Sequence, residues 1–223
     1  KEKISRLAKT GNKEDQKELE IIEKIIVALE RAQNVRSINF SDEEHSVYVN
    51  AMQLITDKPV LYICNVSENS AAKGNLYVDQ VKEAILSEKA EVLVLAASIE
   101  ADINELESYE ERQLFLEDLG LSEPGSAKLI RSAYDLLSLR TYFTAGEKEV
   151  RAWTIRKGSS APQAAGIIHS DFEKGFIRAE VIAYKDYQAL GSEQKVKEAG
   201  KIRVEGKEYL VQDGDVIHFR FNV

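Results

Sequence analysis

The first third of the chain carries apolar residues at helical spacing between charged ones. Their intervals of three and four residues are those of a coiled-coil seam. The seam residues are Leu19, Ile22, Ile26 and Leu29, widened by Ile21 and Ile25. This pattern predicts a helix from about Lys13 to Ala32. A helical pattern at 1–10 and the break at Gly11-Asn12 then predict an antiparallel helical hairpin ending near residue 40, with a solvated element of a helical bundle as the alternative.

Two continuous apolar runs in the next part of the chain predict buried parallel strands, at 59–64 and 91–96. A helix is predicted between them, from about Tyr77 to Leu86. Strand, helix and strand with apolar strands form the βαβ unit of a parallel sheet. A helix at 41–57 is expected before this unit, because Ser41 and Glu44 match a capping box. Further helices are expected between 105 and 139.

Short alternating segments replace this pattern beyond Thr141. They predict strands at 150–155, 176–182, 209–211 and 216–221, with Asp213-Gly214 as the hairpin turn before the last strand. Pro162 is expected near the start of a helix. The last third is therefore predicted to be a small α+β domain.

Charge and composition narrow the classes of partner. The net charge is −8, but residues 140–223 contain 14 basic and 12 acidic residues, whereas residues 1–139 contain 16 and 26. An acidic body argues against broad non-specific nucleic-acid binding, and no DNA partner is expected. No apolar run approaches the roughly 18 residues of a membrane helix, so no membrane partner is expected. The single cysteine, Cys64, fits a cytoplasmic protein.

A short segment with polar residues follows each predicted strand of the βαβ unit. The two segments are Asn65-Val66-Ser67-Glu68 and Ala97-Ser98. GTPases carry Asn-Lys-x-Asp at such a strand end, because the Asp carboxylate accepts two hydrogen bonds from guanine that adenine cannot donate. Val66 replaces the Lys and Glu68 replaces the Asp, and the longer Glu side chain displaces the carboxylate. The motif predicts weakened guanine preference with adenine tolerated or favoured. The alternative is that Asn65 and Glu68 cap the following turn.

The phosphate-binding motif G-x-x-x-x-G-K-[ST] does not occur in the 223 residues. We therefore expect this chain to be a fragment of a larger nucleotide-binding protein. Catalytic residues are expected outside it, and the fragment is not expected to hydrolyse ATP at a useful rate. Its severed sheet is expected to self-associate through 59–64 and 91–96.

From Lys13 to Val223 the chain resembles the YchF-type Obg-like ATPases. The stretches that carry the resemblance are KPVLYICNVSE, VLAASIEADINEL, LRTYFTAGEKEVRAWTIRKGSSAPQAAGIIHSDFEKGFIRAEVIAY and YLVQDGDVIHFRFNV. The resemblance implies the end of a coiled-coil hairpin at 1–40 and an α/β remnant of a P-loop nucleotide-binding domain at 41–138. It also implies a C-terminal α+β domain of the β-grasp type (ubiquitin-like, TGS) at 139–223.

The same resemblance implies an activity and a partner. The intact protein is expected to hydrolyse ATP with Mg²⁺, with K⁺ as a further candidate cofactor, and the fragment is not expected to bind either tightly. Base recognition falls to Asn65, Val66, Glu68 and Ser98. Ribosome or rRNA binding is implied for the TGS domain. Its candidate contacts are Arg151, Arg156, Lys157, Arg178 and Lys185. The alternative is that each of these residues is simply part of a solvated surface.

Other function classes remain open. A TGS and coiled-coil adaptor could bind RNA or protein without nucleotide. A TGS appendage of an aminoacyl-tRNA synthetase or stringent-response enzyme is disfavoured by the preceding βαβ unit. The histidines, His45, His169 and His218, lack partners at metal-ligand spacing, so no zinc site is expected. His169-Ser170-Asp171 has the letters of a catalytic triad, but a turn is favoured.

Overall fold

A computed structural model describes residues 12–88, 90–146 and 149–222. It divides into two compact units, one up to Ile130 and one from Arg131. The first arm of the predicted helical hairpin lies outside the described residues, so the hairpin stays a prediction.

The first helix, α1, is Lys13–Glu30 and begins where Asn12 accepts a hydrogen bond from the backbone N–H of Glu14 at 3.0 Å. Its buried stripe differs from the predicted seam. Ile21, Ile25 and Ala28 are buried, and the two isoleucines pack with Val35 and Val49. The seam residues lie beside that stripe, and Leu29 is 41% exposed. The residues that widened the predicted stripe therefore form its packed face.

The predicted helix at 41–57 is shorter than expected. The capping box is confirmed, because Ser41 and Glu44 exchange side-chain-to-backbone hydrogen bonds of 3.0 and 3.1 Å. The helix runs as α-helical Asp42–Glu44, π-helical His45–Val49 and α-helical Asn50–Met52, and it ends where Gln53 adopts a φ of 48°. Residues Ile55–Asp57 form a separate 3₁₀ turn.

The predicted parallel βαβ unit is confirmed, but the prediction that both strands are buried is wrong. No residue of the first strand is buried, with Ile63 48% exposed, and only Leu93 of the second strand is buried. Strands β1 (Leu61–Asn65) and β2 (Glu91–Leu95) are parallel, and helix α2 (Leu76–Ala84) connects them. Three helices follow: α3 (Ala97–Glu105), α4 (Tyr109–Asp118) and α5 (Gly125–Leu136). The last part of α5, from Arg131, belongs to the second unit. Ile99, Ile103 and Leu116 are buried together. The Glu100 carboxylate accepts hydrogen bonds from the backbone N–H groups of Gly125 and Ser126, at 2.6 and 2.9 Å, so it fixes the start of α5.

The second unit is built on a five-stranded sheet with the order β4-β3-β7-β5-β6. The β3–β7 pair is parallel and the other pairs are antiparallel. The strands are β3 (Leu139–Ala145), β4 (Val150–Arg156), β5 (Phe176–Ala183), β6 (Arg203–Glu205) and β7 (Asp215–Phe221). The helices are α6 (Ala161–Ile168), α7 (Ser170–Lys174), α8 (Tyr184–Leu190) and α9 (Glu193–Glu198).

Helix α6 closes the main core of this unit. Its residues Ala161, Ala164 and Ala165 are fully buried, and Pro162 lies in its first turn as predicted. Small side chains allow the helix to approach the sheet closely. The buried Tyr142 hydroxyl donates a hydrogen bond to the Ala164 carbonyl at 2.9 Å, and desolvation raises the pKa of Tyr142 above its ordinary value.

One strand prediction and one hairpin-turn prediction in the second unit are wrong. Residues 209–211 form no strand beside β7, since Leu210 makes an isolated bridge to Ser160. The turn at Asp213-Gly214 therefore does not join two paired strands, although Gly214 has a φ of 81°. Strands β3 and β6 were not predicted. The segment before β7 is instead held by Asp215, which accepts hydrogen bonds from the Tyr209 hydroxyl and the Gln212 N–H at 2.6 and 2.9 Å.

Candidate functional site

The carboxyl ends of β1 and β2 bring the predicted base-recognition residues together. The backbone N–H of Val66 donates to the Leu95 carbonyl at 2.9 Å, which continues the parallel ladder past the end of β1. The Asn65 side chain accepts a hydrogen bond from the backbone N–H of Ala97 at 3.0 Å. Asn65 thus joins the end of one strand to the first residue of α3, next to Ser98.

The surface beside this joint is partly polar and partly apolar. Val66 is half-buried, whereas Glu68 and Ser98 are exposed. Glu68 begins a 3₁₀ turn, Glu68–Ser70, and Ser98 lies in the first turn of α3. An exposed carboxylate can accept hydrogen bonds from a ligand amino group, and a half-buried valine offers apolar contact to a flat ring. The Asn65 side chain caps α3 across the sheet rather than the turn that follows it.

A half-buried carboxylate, Glu88, ties three segments of the first unit together. It accepts hydrogen bonds from the Asn34 amide at 2.8 Å, from the Arg36 guanidinium at 2.7 and 2.9 Å, and from the Tyr62 hydroxyl at 3.2 Å. Arg36 also donates to the Thr56 carbonyl at 3.2 Å. The network joins the segment after α1 to β1 and to the segment before β2. Sequence patterns gave no signal for it, because Arg36 and Glu88 are 52 positions apart.

Acid is expected to weaken this network. Burial alone would raise the pKa of Glu88, but the hydrogen bonds and charge of Arg36, with Tyr62 and Asn34, hold it below its ordinary value. A lowered folded-state pKa stabilises the fold above the pKa of an unfolded glutamate, about 4.3, and this stabilisation is lost as the pH falls through the folded-state pKa. Glu88→Gln should cost about 2 kcal/mol at pH 7 and reduce the loss of stability in acid.

Urea unfolding followed by circular dichroism from pH 7 to pH 3 measures this effect. Glu83→Gln, which neutralises an exposed glutamate on α2, is the matched control. Equal acid sensitivity of the Glu88→Gln and Glu83→Gln variants would contradict the assigned role.

The five candidate RNA contacts of the second unit lie on different elements. Arg151 and Arg156 are on opposite faces of β4, since side chains alternate along a strand. Lys157 follows β4, and Lys185 lies on α8. Arg178 on β5 forms an ion pair with Glu180 at 3.4 Å. The five residues do not form one basic face, and their contact with RNA stays a prediction.

The histidines have local partners. His169 precedes α7, and its Nδ1 accepts a hydrogen bond from the backbone N–H of Asp171 at 3.2 Å, so this segment is a helix cap. His45 lies 3.0 Å from Asp57, and His218 lies 3.2 Å from Glu193. Within the described ranges, no group of three or more His, Cys, Asp or Glu residues is arranged to hold a metal ion. None of the described helices is long and apolar enough to cross a membrane.

Known proteins are similar in sequence to this chain across its length. The family model "YchF-GTPase_C: Protein of unknown function (DUF933)" matches residues 139–222. The "Ribosome-binding ATPase YchF" of Bacillus subtilis is 54% identical over 223 residues, which cover 99% of this chain and 60% of that protein. Proteins of the same name from Haemophilus influenzae and Escherichia coli O157:H7 are 51% and 49% identical. The chain spans 60% of the length of these relatives.

Solved structures agree with this match. The YchF GTPase of Schizosaccharomyces pombe has a TM-score of 0.79 at 36% identity, over 93% of this chain and 55% of that one. A GTP-binding protein from Pyrococcus horikoshii has a TM-score of 0.53 at 16% identity, over 93% of this chain and 57% of that one. The second likeness concerns the fold alone.

Proposed function

Because this chain is homologous over its whole length to the YchF family, we propose that it is the C-terminal part of a ribosome-associated protein that binds and hydrolyses ATP. The observation that carries the proposal is the hydrogen bond from the Ala97 N–H to the Asn65 side chain, which joins the Asn65–Glu68 loop to the start of α3 and so supports a base-binding role for this loop. The relatives named ribosome-binding ATPases support the activity and the partner.

The base of ATP is assigned to the carboxyl ends of β1 and β2. Asn65 fixes the loop that carries Val66 and Glu68, and Ser98 lies on the adjacent turn of α3. Val66 supplies apolar contact to the adenine ring. The Glu68 carboxylate is one methylene longer than the aspartate of GTPases, so it does not present guanine with its pair of acceptors. ATP is therefore preferred over GTP.

Phosphate binding and catalysis are assigned to residues outside these 223. The G-x-x-x-x-G-K-[ST] motif that holds phosphate and Mg²⁺ does not occur in the sequence. Mg²⁺, and K⁺ where it is required, would neutralise charge on the phosphates. The residues of this chain orient the base and hold the loops around it, and no catalytic residue is assigned among them.

The second unit is proposed to be a TGS domain of the β-grasp type. In the order in which its strands occur along the chain, the sheet runs second, first, fifth, third, fourth, and α6 connects the second strand to the third. This arrangement supports a β-grasp fold. The exposed and half-buried seam residues of α1 support the proposed coiled-coil arm. Both regions are proposed contact surfaces for the ribosome, in the cytoplasm.

Ribosome co-sedimentation tests the proposal. The protein produced from the full coding sequence is centrifuged with 70S ribosomes through a sucrose cushion, without nucleotide and with equal concentrations of ATP or GTP. We expect the protein to co-sediment with ribosomes. ATP should change the fraction that co-sediments more than GTP does, because the nucleotide state alters how the domains are presented. Co-sedimentation that is indifferent to both nucleotides would support the non-enzymatic binding module instead.

A further inference from the structure

Strand β4 forms the long free edge of the second sheet. It extends over seven residues, Val150–Arg156, and within the described part of this unit it pairs with β3 alone. The opposite edge strand, β6, has three residues. Edge strands present backbone N–H and C=O groups that can pair with another chain. The edge of β4 is therefore the longer surface of this kind on the sheet.

The hydrogen-bond pattern shows which backbone groups face outward. The Gly146 N–H donates to the Glu149 carbonyl at 2.9 Å, and the Lys157 N–H donates to the Ser138 carbonyl at 2.7 Å. Hydrogen-bonded and non-hydrogen-bonded pairs alternate along an antiparallel ladder. Arg151, Trp153 and Ile155 consequently direct their backbone groups toward β3. The residues whose backbone N–H and C=O groups face the free edge are Val150, Ala152 and Thr154.

The hydrogen bonds on the other side of β3 confirm which backbone groups face which way. Thr141, which lies opposite Thr154 in the register, donates its N–H to Asp213 at 2.8 Å and accepts from the Gly214 N–H at 2.8 Å. Both Thr141 backbone groups thus face away from β4. The Thr154 side chain meets the Tyr134 hydroxyl at 3.1 Å on the face of the sheet, so its backbone stays directed at the edge.

Basic residues outnumber acidic ones along this edge: Arg151, Arg156 and Lys157 stand against one described acidic residue, Glu149. Four arginines on the other strands lie in ion pairs: Arg140 with Asp135, Arg178 and Arg220 with Glu180, and Arg203 with Asp215. Arg151 instead stacks over the Trp153 ring, with its Cζ 4.1 Å from the ring centroid. Arg156 and the adjoining Lys157 are exposed, and within the described part of the chain neither is in an ion pair. The edge therefore carries cations that remain available to a partner.

We propose that the free edge of β4 binds an extended acidic segment of a partner protein by strand addition. The segment pairs with the backbone of Val150, Ala152 and Thr154. Its acidic side chains meet Arg151 on one face, and Arg156 and Lys157 at the far end. A second copy of β4 offers the same three cations and the single described acidic residue Glu149, so it complements the charge of this edge less well than an acidic segment does. This site is in the second unit, whereas the base-recognition loop is in the first, and its proposed binding does not depend on nucleotide.

The Ala152→Pro variant tests the backbone hydrogen bonds of this edge without changing its charge. The Ala152 N–H faces the free edge, so Ala152→Pro removes a donor for the partner without removing a β3–β4 hydrogen bond. Ala152→Thr keeps this donor and serves as the matched control. The probe is a fluorescein-labelled heptapeptide of alternating Glu and Val, with a Lys and Val heptapeptide for comparison, and binding to the 223-residue chain is followed by fluorescence anisotropy.

We expect the Glu peptide to bind and the Lys peptide to bind more weakly. Ala152→Pro should weaken binding of the Glu peptide by about tenfold or more, while Ala152→Thr leaves it nearly unchanged. Arg156→Glu should weaken the Glu peptide and strengthen the Lys peptide. Circular dichroism and Trp153 fluorescence establish that each variant remains folded.

Three outcomes would overturn the proposal. The first is binding of the Glu peptide that Ala152→Pro does not change, or no binding at roughly millimolar peptide. The second is a chain dimer, by light scattering, that Ala152→Pro dissolves, because the occupant is then a second copy. The third is preferential binding of a single-stranded uridine oligonucleotide that depends on Arg156 and not on the Ala152 N–H, because the surface then binds RNA.

Discussion

Replacing Val66 by Lys and Glu68 by Asp together is expected to shift the nucleotide preference of the full-coding-sequence protein toward GTP by about a hundredfold. The double variant restores the Asn-Lys-x-Asp pattern at a loop whose position Asn65 already fixes through Ala97. The shorter carboxylate can then accept both guanine hydrogen bonds. Two hydrogen bonds to a charged group, at about 1.5 kcal/mol each, correspond to about this factor.

Competition between labelled ATP and unlabelled GTP measures this shift. Ser67→Ala is the matched control within the loop, since Ser67 lies between the two altered positions and its hydroxyl meets Ser70 at 3.5 Å. It should leave the preference unchanged. An unaltered preference in the double variant, with the melting temperature preserved, would show that this loop does not select the base.

Replacing Asp215 by Ala is expected to lower the free energy of unfolding of the second unit by about 3 kcal/mol. Asp215 is 2% exposed and accepts hydrogen bonds from the Tyr209 hydroxyl, the Gln212 N–H and Arg203 at 2.6, 2.9 and 3.4 Å. Without it, the half-buried Tyr209 hydroxyl and the Gln212 N–H lose their acceptor, whereas the exposed Arg203 keeps its ion pair with Glu205 at 3.2 Å. Desolvation, together with the hydrogen bond to Asp215, raises the pKa of Tyr209 to about 12.

Trp153 is the only tryptophan of the chain and lies on β4, so its fluorescence during urea unfolding measures the stability of the second unit. Glu208→Ala removes an exposed carboxylate beside Tyr209 and should change the free energy of unfolding by less than about 0.5 kcal/mol. A loss in Asp215→Ala no larger than in Glu208→Ala would contradict the role assigned to the network.

Local sequence patterns predicted the elements that depend mainly on residues close together in the sequence. The Ser41–Glu44 capping box and the Pro162 helix start each follow from residues within a few positions of one another. The parallel pair β1–β2 joins residues 30 positions apart, but two local apolar runs with a helical pattern between them were enough to predict it. These elements need no information about distant parts of the chain. Their approximate positions could therefore be predicted, although their ends shifted by a few residues.

The sequence failed where distant residues decide the structure. Strand β6 has three residues and is held by pairing with β5, so its own pattern is too short to predict it. Residues 209–211 resemble a strand, but the Asp215 hydrogen bonds hold the segment at Tyr209 and Gln212. On α1, two apolar stripes were available, and contact with Val35 and Val49 selects Ile21 and Ile25. Tertiary packing thus overrides local preference.

The candidate site shows the same division. Strand-end position predicted that Asn65 and Ser98 belong to one edge, and the structure brings Asn65 to Ala97, beside Ser98. Glu88, which links three segments through Arg36, Asn34 and Tyr62, had no sequence signal. The alternating faces of β4 separate Arg151 from Arg156, although both were predicted to contribute to one basic surface. Which face of β4 each basic side chain lies on depends on where the strand begins and how it pairs, and amino-acid composition does not contain this information.

The most direct test of the central claim is the affinity of the unaltered protein, produced from its full coding sequence, for ATP and for GTP in the presence of Mg²⁺. Both are measured by competition against one labelled nucleotide in the same solution. Tighter binding of ATP is the predicted result, because Val66 and Glu68 replace the residues that select guanine. Tighter binding of GTP would contradict the account of this site.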